Sequence, residues 1–289
     1  MTRARVAVVG SANLDIVMTV QRIPEPGETV LGDRLDEVAG GKGLNQAIAA
    51  ARHQSVSFVG CLGDDAAAQL LESALDRAGV DVAHVQHSDQ PTGRAFIPVA
   101  ADGENSIVVL PLANRDLDPA RVLAALDEIA PTVVLTQLEV PFEVVTQVAA
   151  WTEVHAVRFV LNPSPVAALP PALLALCDPL VLNASEATSV LVAAGKGEAA
   201  TPEHAVAALA LLTRAVVVTD GRRGAWVGRG DRTAHVPVAA VDARDTTGAG
   251  DAFAGVLTAH LADGVDLEHA VDLANRAAAS LVRLSRDQR

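Results

Sequence analysis

The sequence predicts a three-layer α/β/α body, a mostly parallel central sheet with helices on both faces, carrying a small antiparallel β lid. Three observations lead there. Short continuous apolar runs such as RVAVVG at residues 5–10 read as strands buried on both faces. Most of these runs alternate with stretches of helical spacing, the rhythm of a covered parallel sheet. Stretches that alternate polar with apolar residues stand outside that rhythm, in two separate segments.

Taken in order, the first strand (5–10) ends in Gly10-Ser11-Ala12-Asn13-Leu14-Asp15. Asn13 and Asp15 therefore sit just past a strand's C-terminal end, where open α/β sheets bind ligands. An Asx-type turn is the plainer reading of the same residues. Residues 15–20 and 29–38 alternate around Pro24-Glu25-Pro26-Gly27 and read as an antiparallel pair. Gly40-Gly41-Lys42-Gly43 then opens a helix to about residue 53. Its paired glycines permit close approach of a ligand to the backbone, and Lys42 and Asn45 share a face at its start. A flexible surface turn is the alternative. Only Lys42 and Lys196 are lysines among 22 basic residues, and the GxxxxGK[ST] phosphate-loop spacing is absent.

A strand (56–60) and a helix (66–78) follow. Residues 94–100 and 106–110 make a hairpin around Asp102-Gly103-Glu104-Asn105. With the earlier pair this gives about four antiparallel strands, inserted at about 13–38 and 92–112 of a single domain, 1–289. Beyond residue 118 come strands at 133–137, 158–161, 179–182 and 215–219, with helices at 142–151 and 205–212. Glu139, at a strand end, is a candidate to bind a ligand hydroxyl, or else a capping or surface acid. Asn183 and Glu186 are spaced as a helix capping box. Thr219-Asp220-Gly221 turns into an antiparallel pair, 225–228 and 233–237, and the last helix covers 267–284.

The stretch Asp245-Thr246-Thr247-Gly248-Ala249-Gly250-Asp251 carries most chemistry. Its threonines signal a helix start, its glycines admit a close neighbour, and an apolar helix (252–261) follows. Free N–H groups and a positive dipole end suit an anion. Asp251 in that first turn complements the dipole, or, beside an anion, takes a proton from an attacking hydroxyl. The combination suggests phosphoryl transfer.

Composition narrows the alternatives. Half the residues are hydrophobic, enough for a sizeable core, while aromatics make up only 2%, so Ala, Val and Leu must fill it. A formal net charge of −13 argues against non-specific nucleic-acid binding. Cys61 and Cys177 are isolated, which suggests neither a zinc cluster nor a disulfide framework. With no apolar run of 18 residues and no signal-peptide core, a soluble cytoplasmic protein without membrane contact is expected.

Together these stretches resemble the PfkB-type, ribokinase-like family of sugar kinases, from residue 6 to 283. The resemblance rests on Gly10–Asp15, Pro26-Gly27-Glu28-Thr29, Gly40–Ala47, Gln137-Leu138-Glu139, Asn183-x-x-Glu186 and Asp245–Asp251, in the family's order and separation. It implies ATP-dependent phosphorylation of the 5-hydroxyl of D-ribose. Asp251 would be the general base and the backbone of Gly248, Ala249 and Gly250 the anion hole. Asn13, Asp15, Gly41, Lys42, Asn45 and Glu139 would bind the pentose. Asn183, Thr219, Gly221, Gly250 and Asn275 would contact ATP, with Glu186 acting indirectly on magnesium. The projecting sheet resembles the family's lid, which implies closure over the sugar and a homodimer. A monovalent cation, potassium by resemblance, would use Asp245 and the Thr247 carbonyl. Family members complete that cation site with a Gly-Ala segment and a serine, where this sequence reads Leu284-Ser285-Arg286-Asp287-Gln288-Arg289. That departure leaves open a catalytically weak sugar-binding protein, and, because one hydroxyl contact can change the preference, a kinase for deoxyribose or another small sugar is the other alternative. A dinucleotide oxidoreductase lacks its GxGxxG turn.

Overall fold

The structure is a computed structural model, and it describes residues 5–284. The chain begins β1 (Val6–Val9), β2 (Asn13–Val20), β3 (Gly32–Gly40) and α1 (Lys42–Ala51). Next come β4 (Val56–Val59), β5 (Cys61–Gly63), α2 (Ala66–Arg77), β6 (Gln86–Ser88), β7 (Gly93–Val99) and β8 (Val108–Leu110). A 3₁₀ turn at Leu112–Asp116 leads to α3 (Pro119–Ile129), β9 (Val133–Thr136), α4 (Phe142–Val154), β10 (Arg158–Leu161) and α5 (Pro171–Leu174). The remainder is β11 (Leu180–Asn183), α6 (Ala184–Ala193), α7 (Pro202–Ala210), β12 (Val216–Thr219), β13 (Ala225–Arg229), β14 (Arg232–Val236), α8 (Ala249–Ala262) and α9 (Leu267–Leu281).

Eight strands form the large sheet in the order β14-β13-β12-β11-β10-β9-β1-β4. It is parallel from β4 to β12 and antiparallel only at β13 and β14. The apolar runs are explained by burial on two faces. Along β1, Val6 and Val8 join the core under α1, α2, α8 and α9, while Ala7 and Val9 join the core under α3, α4, α6 and α7. Each buried Val or Leu contributes about 1.5–3 kcal/mol relative to exposure. After β1 the chain adds β4 on one side and β9 on the other, so strand order reverses at β1. The C-terminal ends there are the expected ligand crevice. Gly255 lets α8 pack closely against α1, since a Cβ on it would lie 2.3 Å from the Gln46 carbonyl.

The second sheet has the order β3-β2-β7-β8. Its outer ladders, β2–β3 and β7–β8, are antiparallel as expected, but β2 and β7 run parallel. The expectation of all-antiparallel pairing fails at this central ladder because β2 and β7 open two separate hairpins. Both leave the body in the same direction. Val17, Ala95 and Ile97 make its small core.

Other boundaries moved with local chemistry. Helix α7 begins at Pro202, behind a Thr201 cap that accepts the His204 N–H, rather than at 205. Helices α1 and α9 stop at Ala51 and Leu281, short of 53 and 284. The short parallel pair β5–β6, the 3₁₀ turn and α5 had no sequence signal strong enough to mark them. No helix among the described residues is long and apolar enough to cross a membrane.

Candidate functional site

Helix α1 starts at Gly41, whose φ of +90° is costly for any side-chain-bearing residue. A Cβ there would also lie 2.8 Å from Ala12 Cα and from Asn13 N. The helix has no side-chain cap from its N-cap residue. Distant residues take its first N–H groups instead. Lys42 N–H donates to Glu139 Oε2 at 3.1 Å, and Leu44 N–H donates to the Ser11 carbonyl at 2.9 Å. The Ser11 hydroxyl donates to the same Glu139 oxygen. Glu139 is therefore a capping acid brought in from 97 residues away.

Asn13 is buried beneath Asn114, which sequence reading had passed over. The Asn114 Nδ2 donates to Asn13 Oδ1 at 2.8 Å, and Asn114 Oδ1 accepts the Ala12 N–H at 3.0 Å. Asn114 lies in the 3₁₀ turn after β8 and is 1% exposed. The one clue in the sequence is an amide following the apolar Pro111-Leu112-Ala113.

Asp251 occupies the first turn of α8. The residue is half-buried, but its carboxyl lies deep enough that burial pushes its pKa up. The Lys42 charge and two amide donors oppose that rise, while Glu139 adds to it. Gln46 Nε2 donates to Asp251 Oδ1 at 3.0 Å, and Asn45 Nδ2 donates to Oδ2 at 3.3 Å. Gln46, fully buried, is the second residue missed from the sequence.

Three cavities surround these groups. One of about 410 Å³ is lined by Thr219, Gly221, Ala249, Gly250, Phe253 and Asn275, among mainly apolar neighbours. A second, about 380 Å³, is lined by Asp15, Asn45, Thr247, Gly248 and Ala252, with Val38 and Ala39 of β3. The third, about 830 Å³, is lined by Asn13, Lys42, Glu139 and Asn114, with Ile107 and Val109 of the β7–β8 hairpin. The residues expected around one sugar thus divide between two cavities, under opposite edges of the second sheet. Asp15 closes over Gly40, where a Cβ would come within 2.3 Å of its carboxyl.

The expected ATP contacts are mostly gathered at the first cavity. Asn275 is buried and donates to the Val236 carbonyl at 3.1 Å. Thr219 pairs in register with Asn183 on neighbouring strands. Asn183 itself is exposed and completes a capping box with Glu186. Its Oδ1 accepts the Glu186 N–H at 2.9 Å, and Glu186 Oε2 accepts the Asn183 N–H at 2.9 Å. The Glu186 carboxylate, in the first turn of α6, suits magnesium carried by phosphates, which keeps most of its waters.

Gly248, at φ +74°, begins α8 without a side-chain cap. The Ala249 N–H donates to the Thr246 carbonyl at 3.2 Å, so one of the three expected anion-hole amides is engaged within the chain. Asp245 Oδ1 accepts the Thr247 N–H at 2.8 Å, and Arg244 N–H donates to the Val282 carbonyl at 2.8 Å. That ties the loop to the end of α9. The sequence departure at 285–289 lies outside the described residues.

Comparison with known proteins adds three findings. The profile of pfkB family carbohydrate kinases matches residues 3–288. A ribokinase of Bacillus subtilis is 37% identical over 279 residues, covering 94% of this chain and 91% of that protein. Two solved structures superpose closely. The ribokinase of Thermotoga maritima gives a TM-score of 0.90 at 31% identity, covering 99% of this chain and 95% of that one. An Arabidopsis thaliana ribokinase complexed with ribose and ATP gives 0.86 at 30%, covering 98% and 94%.

Proposed function

Because the chain belongs to the pfkB family of carbohydrate kinases, it is a phosphotransferase with a sugar hydroxyl as acceptor, and we propose that it moves the γ-phosphoryl group of ATP to the 5-hydroxyl of D-ribose. The products are ribose 5-phosphate and ADP. One observation carries the reading. The first turn of α8 is the wall between two cavities, with Ala249 and Gly250 lining one, and Gly248 and Ala252 the other. Asp251 lies in that wall, bonded to Asn45 from the second cavity.

In this scheme the nucleotide lies along Thr219, Gly221 and Asn275, with its γ-phosphate at the start of α8. The sugar lies in the second cavity, against Asp15 and Asn45. Its 5-oxygen attacks phosphorus as the bond to ADP breaks, and the hydroxyl proton passes to Asp251. Burial raises the proton affinity of that carboxylate, which suits a base. Glu186 would hold magnesium through water, and the metal would neutralise charge on the phosphate oxygens. Asp245 and Thr247 would serve a monovalent cation such as potassium. The second sheet acts as a lid within one domain. Its exposed Leu35, Ile107 and Val108 support pairing with a second copy, which sedimentation at micromolar concentration tests by mass. A cytoplasmic site of action belongs to the same proposal.

The test is ADP release over a panel of ribose, deoxyribose and other small sugars, with and without potassium. Ribose is expected to drive the fastest turnover; a preference for deoxyribose overturns the substrate. Asp251→Asn should lower kcat by about 10²–10⁴-fold. It should also raise Tm near neutral pH. The folded carboxyl holds its proton more tightly than the unfolded one, so stability falls as pH rises through that window. Asn has no such charge to bury. A variant turning over at the wild-type rate removes Asp251 as the base.

A further inference from the structure

Behind Asp251 lies a chain of amides, Gln46 and Gln137 fully buried and Asn162 half-buried, with no role yet in the reaction. Gln46 Nε2 sits 3.0 Å from Asp251 Oδ1 and 3.0 Å from Asn162 Oδ1. Gln46 Oε1 accepts from Gln137 Nε2 at 2.7 Å. Asn162 Nδ2 donates in turn to the Val181 carbonyl at 3.0 Å. These groups come from α1 and from the ends of β9 and β10, and the carbonyl from β11. They span the C-terminal edge of the sheet beneath the reacting carboxylate.

The direction of this chain is fixed at both ends. The Val181 carbonyl accepts only, so Asn162 must turn Nδ2 to it and Oδ1 to Gln46. An ionised Asp251 also accepts only, so Gln46 must present Nε2 to both oxygens. Gln46 Oε1 is then left to face Gln137, which must answer with its own Nε2. The consequence is visible at the far end. Gln137 Oε1 is buried without a hydrogen-bond partner among the described residues. It faces Gly10, where a Cβ would come within 2.1 Å of it. An unpaired buried acceptor is a cost that proteins normally avoid. Here it follows from aligning every other amide toward a carboxylate.

We propose that Gln46 is the positioning residue of the catalytic base: its Nε2 fixes Asp251 Oδ1, so that Oδ2 faces the sugar hydroxyl and receives the proton. Gln137 and Asn162 lock the Gln46 amide in the donating orientation. The inference rests on the reading of Asp251 as base. Other charged groups facing the carboxylate are Lys42 of α1 and Glu139 of the β9–α4 connection. Asn45 meets the same oxygen that is to react, at a longer 3.3 Å, so it is the partner that gives way to the sugar.

The experiment compares kcat and KM across pH 5.5–9.5 for the wild-type protein, Asp251→Asn, Gln46→Met and Gln137→Leu. Methionine keeps the length of glutamine but donates nothing to the carboxylate. Protonated Asp251 is then favoured, and the acid limb of the kcat profile should move up by about one pH unit. At the lower pH values kcat falls by about ten-fold and recovers as pH rises. KM for sugar and for ATP should change less than about three-fold. Gln137→Leu removes the lock and its own unpaired oxygen, and leaves Gln46 Oε1 as the one unpaired acceptor in its place. It should shift the limb in the same direction by a smaller amount, with little change in Tm. That result separates orientation from a merely structural role, and it stands even where Gln46→Met folds poorly. A fall in kcat that is uniform across pH, with the limb unmoved in both variants, overturns the inference. If Asp251→Asn keeps its activity, the base itself was wrong, a failure distinct from that of Gln46.

Discussion

Helices α1 and α8 enter the site with the same pattern, Gly41-Lys42-Gly43 and Gly248-Ala249-Gly250. Each begins at a positive-φ glycine without a side-chain cap and carries a second glycine two residues on. The surroundings differ sharply. A Cβ at Gly43 would meet Ser11 N at 2.6 Å and the Gly10 carbonyl carbon at 2.7 Å. A Cβ at Gly250 would meet nothing within 4 Å. Packing therefore requires glycine at 43. At 250 the protein itself does not, although alanine is a far better helix former. The two helices differ in the same sense at their first amides, which Ser11 and Glu139 take up at α1. One helix start is closed by the protein and anchors the site. The other is left open beside Gly250.

The sharpest way to break this contrast is to place the same methyl at both positions. Gly43→Ala should cost about 3 kcal/mol, because the contacts are backbone and cannot swing away. That lowers Tm by roughly 6–10 °C. Differential scanning calorimetry reads it, and an unchanged Tm means α1 is not jammed against the β1–β2 connection. Gly250→Ala should instead hold or raise stability, by up to about 1 kcal/mol. Its effect belongs in the kinetics, with kcat/KM for ATP falling by about ten-fold, close to 1.4 kcal/mol. An active Gly250→Ala enzyme would leave the second glycine of α8 without a reason in either stability or function.

The same contrast explains what the sequence could and could not disclose. The apolar runs gave away the strands because a parallel sheet buries both faces of each. The glycine stretches stood out because they break helical composition at helix starts, and Asp251 stood out as an acid beside one of them. Gln46 carried no such mark. Its partners Gln137, Asn162 and Asp251 lie 91, 116 and 205 residues away, so only the fold assembles them. Asn114 is alike, since it secures Asn13 across 101 residues. Glu139 was placed correctly at a strand end, yet its bond to the start of α1 depends on tertiary approach. The parallel β2–β7 ladder was hidden for a similar reason. Local alternation reveals that a segment is a strand, but only the directions in which two hairpins leave the body decide how they pair.

The smallest expected effect concerns Asn183, where two readings of one residue overlap. Its capping box at α6 is complete within the protein, and Asn183→Ala should remove about 1 kcal/mol of stability. Asp118 caps α3 in the comparable way, accepting the Arg121 N–H at 3.0 Å, on a helix whose residues line neither cavity beside α8. Asp118→Ala is therefore the matched control, with a similar loss of Tm expected. If Asn183 also orders phosphates beside Thr219, its variant alone should raise KM for ATP, by about three-fold at ordinary hydrogen-bond strength. Equal KM values in the two variants would reduce Asn183 to a helix cap. The ATP site would then rest on Thr219, Asn275 and the open start of α8.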